Sequence, residues 1–148
     1  MGPVNVTEPL DAPAILRHFP EGYRTVLVRA NTGWLGTPDR WMRDLPQSAG
    51  RDCAIEVRAP NGHLVSAVSW SQRRDDPNKI DTHGTWVSPR YRGRGVASSL
   101  WRAMIDHCKP HLVRSDVISD GGWALTHAMR LEFPRIKFDA SDMRKEIA

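Results

Sequence analysis

Trp86-Val87-Ser88-Pro89-Arg90-Tyr91-Arg92-Gly93-Arg94-Gly95-Val96-Ala97 is the densest chemical signal in this 148-residue chain. It lies between a segment with strand pattern and a segment with helix pattern. Two glycines one residue apart let the backbone curl until successive N–H groups point into one concavity, and the helix that follows adds the positive end of its dipole. Such a concavity takes an anion, a pyrophosphate included. Arg90, Arg92 and Arg94 bring formal charge to the same spot. Two common phosphate loops do not fit. No Gly-x-x-x-x-Gly-Lys-Ser/Thr string occurs, and Gly93-x-Gly95-x-x-Ser98 lacks the third small position of a dinucleotide fingerprint.

Upstream of the loop the pattern is β. Tyr23–Ala30 reads as a strand. Cys53–Ala59 and Leu64–Trp70 alternate on either side of the turn Pro60-Asn61-Gly62-His63 and predict an antiparallel hairpin, with Ile80–Val87 as the third strand of the same meander. Nearer the start, Asp11–Phe19 is a short helical candidate, and Thr37-Pro38-Asp39 opens another that runs to about Leu45. Downstream the period changes. Val96, Ala97, Leu100, Trp101, Met104, Ile105 and Cys108 recur at three and four, an amphipathic helix that ends before Pro110. His111–Ile118 is a further strand, Gly121–Phe133 a helix with Ala124, Leu125, Ala128 and Leu131 inward, and Arg135–Phe138 a last short strand. A meander running into strand, loop, helix, strand, helix is an α+β, or mixed α/β, single domain spanning 1–148.

The string Val87-x-x-Arg90-x-x-Gly93-x-Gly95-x-Ala97 resembles the acyl-CoA signature of the GNAT superfamily of N-acyltransferases, Gln/Arg-x-x-Gly-x-Gly/Ala. The resemblance extends over roughly residues 52–134. Within Gly121-x-x-Ala124-x-x-x-Ala128-x-x-x-Glu132-Phe133 the family spacing holds, with Ala124 and Phe133 in place. It implies a mostly antiparallel twisted sheet, flanked by helices and splayed between the strand ending at Val87 and the strand His111–Ile118. Acetyl-CoA is the implied donor and no metal is implied. The pantetheine arm is expected along Trp86, Val87 and Ser88. The pyrophosphate is expected at the loop made by Arg90, Arg92, Gly93, Arg94, Gly95, Val96 and Ala97, on the amides of Arg92 to Val96. An N–H at or beside Val87 is expected to hold the thioester oxygen, a donor worth about 3 kcal/mol in comparable sites.

Attack by an amine needs a base, because the amine must be neutral. On Ile80–Val87 a period of two places Asp81, His83, Thr85 and Val87 on one face. The resemblance puts the base at Asp81, and His83, nearer neutrality, can act through a water. Solvation or turn capping is the ordinary role of such residues. Where the family often has Asn and a thiolate-protonating Tyr, this chain has Gly121 and Ala128, so Ser119, Asp120 and His127 are the nearby substitutes. Only 14 residues follow Pro134, too few for the long closing hairpin of many relatives. An acceptor site that is open, or completed by a second copy in a homodimer, is therefore expected.

Net charge is +4 and pI about 9.5, and 17 of the 21 basic side chains are Arg, whose planar fork suits phosphate oxygens. The excess is compatible with a nucleic-acid acceptor without favouring it over an amine on a small molecule or protein. Mean hydropathy is −0.49 and no apolar run approaches the ~18 residues of a membrane helix. The first residues lack a basic start and an apolar run, so a cytoplasmic protein with no membrane partner is expected. Two cysteines, Cys53 and Cys108, make no disulfide framework. His107-Cys108-x-x-His111 has no second pair at metal spacing, and Trp70, Trp86 and Trp101 fall on apolar stripes as core. The sequence thus predicts an acyl-CoA-dependent N-acetyltransferase working by direct attack. A nucleic-acid-directed relative and a catalytically silent binding module are the alternatives.

Overall fold

A computed structural model describes residues 6–30, 51–73, 76–117 and 119–142. The elements in chain order are β1 (Val6–Pro9), α1 (Pro13–Leu16), β2 (Arg24–Ala30), β3 (Arg51–Arg58), β4 (Leu64–Gln72), β5 (Lys79–Val87), α2 (Val96–Cys108), β6 (Leu112–Val117), α3 (Asp120–Glu132) and β7 (Lys137–Asp142), with a 3-10 turn at Pro89–Tyr91. The strands form one seven-stranded sheet in sequence order. β1 to β5 pair antiparallel. β5–β6 and β6–β7 pair parallel, as strands joined by crossover helices must. The two crossovers step the same way across the sheet, so the usual right-handed connection sets α2 and α3 on one face. There Trp101 of α2 stacks on Phe138 of β7, and Arg102 forms an ion pair with Glu132 of α3.

Cross-strand register sorts the side chains into two faces. The row Leu27, Ile55 and Val68 and the pair Cys53 and Trp70 meet Ile15 of α1, Leu100, Trp101, Met104 and Ile105 of α2 and Met129 of α3 in one core cluster, with half-buried Thr85 continuing the row. The opposite face carries Val28, Ala54, Ala67, Ser69 and Ser71, all buried, and all small apart from Val28.

Four expectations need correction. α1 covers only Pro13–Leu16, because after Pro13 at its first turn the chain tightens into i to i−3 bonds, His18 N–H to Ile15 C=O and Phe19 N–H to Leu16 C=O, before Pro20. β1 was not anticipated. Its partner is supplied by β2, and Pro9 is tolerated because it lies on an edge strand. On α3, Ala124 and Ala128 are exposed and Leu131 is 84% exposed, while Thr126 and Met129 are buried. The helix begins one residue earlier under a Ser119 cap, and Thr126 can go inward because its hydroxyl donates to the Gly122 carbonyl. Finally, β5 does not keep a period of two. Ser69 stands opposite Gly84 but Trp70 opposite Thr82, so His83 is an extra residue in a bulge. Asp81 shares a face with Ser71, while Thr85 and Val87 share the other with Val68 and Ser66. The helix expected from Thr37 to about Leu45 lies outside the described residues.

Leu100 is fully buried at the centre of the α2 contact. Leu100→Ala is expected to lower stability by about 2–5 kcal/mol, read from the shift of a urea unfolding midpoint.

Candidate active site at the opened sheet

β5 and β6 pair only from Lys79↔Leu112 to Thr82↔Ser115. β5 then runs on against β4 as far as Val87, opposite Ser66, and a wedge opens between His83–Val87 and the end of β6. The Ser88 N–H donates to the Val65 carbonyl at 2.9 Å, on the β4 side. Alternate residues of an antiparallel strand send their peptide groups to opposite sides, so Val87 directs its N–H and C=O into the wedge. The Arg92 Nε donates to that carbonyl at 2.8 Å, which leaves the Val87 N–H as the donor there. Trp101 Nε1 donates to Thr85 Oγ1 at 2.7 Å and ties α2 to the rim of the wedge.

Above the wedge the chain turns through Pro89–Tyr91 and enters α2. Gly93 has φ +76° and Gly95 φ +88°, left-handed values that glycine adopts without strain. A β-carbon at Gly93 would meet nothing within 4 Å, so backbone conformation, not space, demands glycine there. Gly95 caps α2 without a side-chain bond, and the first helical bond runs from Ser99 N–H to Gly95 C=O. Among the described residues the N–H groups of Gly93, Arg94, Gly95, Val96, Ala97 and Ser98 therefore have no acceptor. The Arg92 amide differs, since it closes the turn onto Pro89 C=O at 3.4 Å. Arg90, Arg92 and Arg94 are exposed and none of them is paired with a carboxylate among the described residues, whereas Arg29, Arg58, Arg73, Arg102 and Arg114 all are. Arg90 and Arg94 sit over the Tyr91 ring at 5.7 and 5.9 Å, and Tyr91 is anchored below by Phe19 and by the Tyr23 hydroxyl at 2.9 Å. Six amides with no acceptor and three guanidinium groups with no carboxylate partner among the described residues, all around one bend, form a site for a polyanion.

A family model described as Acetyltransferase (GNAT) family matches residues 19–120, more than half of the chain and all of the wedge and loop. The chain belongs to the GNAT acetyltransferase family. No curated protein matches it. No helix among the described residues is long and apolar enough to cross a membrane.

Of the residues of this GNAT chain expected to move protons, the fold treats Asp81, His83 and Ser119 differently. Asp81 lies in the paired part of β5, below the wedge, and its carboxylate accepts from Arg73 Nη2 at 3.3 Å and Nε at 3.4 Å. His83 is the first residue past the β5–β6 pairing, and the bulge turns its ring to β4, where Nε2 and the Ser71 hydroxyl are hydrogen-bonded. Ser119 caps α3, its hydroxyl oxygen accepting from Gly122 N–H at 3.1 Å. Trp86 lies opposite Ala67 on the Ser71 face, half-buried, with its carbonyl accepting from Ser66 Oγ at 3.0 Å. Sequence reasoning missed Ser71 and the separation of Thr85 from Asp81 onto opposite faces. Only the register of β4 on β5 reveals them, and no local pattern carries it.

Among the described residues no three of His, Cys, Asp and Glu gather as a metal site. Of the suspected ligand string, Cys108 is buried, and burial with the neighbouring Cys53 pushes its thiol up to about 12 against a smaller opposing effect of the Trp70 indole. His111 is bonded to Asp76 at 2.8 Å.

Forcing a β-branched residue into the left-handed conformation costs about 1–2 kcal/mol. Gly93→Val is expected to weaken coenzyme A binding about tenfold or more in calorimetry and to lower stability by no more than about the same 1–2 kcal/mol in urea unfolding.

Proposed function

We propose that the protein transfers an acetyl group from acetyl-CoA to an amine by direct attack on the thioester, with no covalent enzyme intermediate. The set of unpaired amides from Gly93 to Ser98, flanked by Arg90, Arg92 and Arg94, is the observation that carries this reading. A diphosphate matches it in charge and in demand for donors. Amides fixed by the two glycines lose no freedom on binding, and the arginines add charge-assisted bonds.

From that anchor the pantetheine arm enters the wedge along Trp86–Ser88, where β5 offers the peptide edge that β6 has left. The thioester supplies an electrophilic carbonyl and a leaving thiolate. The Val87 N–H donates to the carbonyl oxygen as negative charge develops on it, about 3 kcal/mol of stabilisation from one preorganised donor. His83, at the mouth of the wedge, receives the amine proton directly or through one water, with Ser71 fixing the ring. Asp81, held by Arg73, contributes field more than proton transfer. Ser119, which caps α3 after β6, is the candidate hydroxyl to return a proton to the thiolate. The acceptor is an amine on a small molecule or a protein, approaching between β5 and β6.

The ion pair at Asp81 favours one second reading, a GNAT module that binds the thioester without turnover. Release of free thiol from acetyl-CoA with a panel of polyamines, amino sugars and basic peptides separates the two. Turnover with any of them supports the transferase, and tight coenzyme A binding with none supports the module. In the transferase, His83→Ala is expected to lower kcat by about 100-fold with the Kd for coenzyme A unchanged, and Asp81→Asn to lower it by much less. Full activity in both variants would remove His83 and Asp81 from the mechanism.

A further inference from the structure

The back of the phosphate loop is built by a distant part of the chain. His18, just after α1, brings its Cε1 to 3.6 Å from where a β-carbon of Gly95 would stand. Its Nε2 is hydrogen-bonded at 3.0 Å to Ser99 Oγ, in the first turn of α2 and only 3% exposed. Phe19 and Tyr23 hold Tyr91 a few ångströms away. The imidazole is thus pinned against Gly95 and the first turn of α2.

Resting on the reading of the loop as a coenzyme A site, we infer that His18 is a positioning residue that takes up a proton when the diphosphate binds. Its charge then completes the cradle from behind. The groups that face the ring make this one-sided. Its own segment offers Arg17, the loop offers Gly95 beside the cationic Arg94, and α2 offers the neutral Ser99. Among the described residues no carboxylate is one of them. Burial, and then Arg17, hold His18 below its ordinary value, so the ring is neutral at pH 7 in the free protein. A bound diphosphate places at least two negative charges across the loop and offsets the neighbouring arginines. Both effects favour the imidazolium.

The sign follows by linkage. A group whose affinity for a proton rises on binding gives affinity that is constant above its bound-state value, increases as pH falls through that value, and levels off below the free-state value, itself under 6.5. One unit of upward displacement gives roughly tenfold tighter binding at the acid limit.

The test is calorimetry of the full-length protein from pH 5.5 to 8.5 with 3′-dephospho-coenzyme A in buffers of different ionisation enthalpy. Coenzyme A is run alongside, because its 3′-phosphate titrates near ~6 and would mask the effect. Wild type is expected to bind several-fold tighter at pH 5.5 than at 8.5 with net proton uptake. His18→Gln, which can still bond Ser99, is expected to bind like wild type at pH 8.5 and to show neither effect. Because the variant could perturb the loop, the His18 Cε1 proton resonance of wild type is titrated with and without ligand, and an upward displacement of its midpoint is expected. Unchanged proton uptake in His18→Gln, or an unmoved His18 midpoint with ligand bound, overturns the inference and leaves the coenzyme A site standing. No heat with either nucleotide at any pH overturns the site and the inference together.

Discussion

β5 has one partner too few for its length, and the proposed chemistry depends on that shortage. It is hydrogen-bonded to β4 down to Val87 but to β6 only as far as Thr82. Peptide groups beyond that point face a gap where a buried strand would ordinarily be satisfied, and an unpaired buried donor costs about 1–3 kcal/mol. Arg92 satisfies one acceptor of that edge, the Val87 carbonyl. The N–H of the same residue is left for an extended ligand, which would pair with the strand as another strand would.

What was legible in the sequence follows what is local. The glycines at 93 and 95 and the three-four spacing from Val96 to Cys108 depend on neighbours within a turn or two, and both were read to the residue. The hairpin of β3 and β4 and the strands β5 and β6 were found for the same reason, with ends shifted by one or two positions. The bulge at His83 was not readable, because it is a mismatch between two strands and appears in neither alone. That hidden residue rearranged the candidate site more than any other feature, moving Asp81 to the opposite face from Thr85 and Val87.

Long-range contacts make up the rest of what was missed. His18 and Ser99 are 81 positions apart, and Tyr23 and Tyr91 are 68 apart. Nothing local in the sequence pairs them, yet together they hold His18 and Tyr91 against the loop. On α3 the hydropathy of Ala124, Ala128 and Leu131 pointed inward, but the cap at Ser119 and the satisfied hydroxyl of Thr126 rotated the helix so that Met129 went in instead. Hydrogen-bond closure overrode hydrophobicity in a helix with few strongly apolar residues.

Any protein that handles thioesters risks acylating itself. Thiol–thioester exchange runs through a thiolate, and the fraction of thiolate falls tenfold for every unit that a thiol's titration lies above ambient pH. With its thiol pushed up to about 12, the Cys108 sulfur is a poor nucleophile near neutrality, and Cys53 is buried from solvent. Under the proposed acyl-CoA chemistry, the same core packing that steadies α2 against the sheet would spare the acyl group from capture by the Cys108 sulfur.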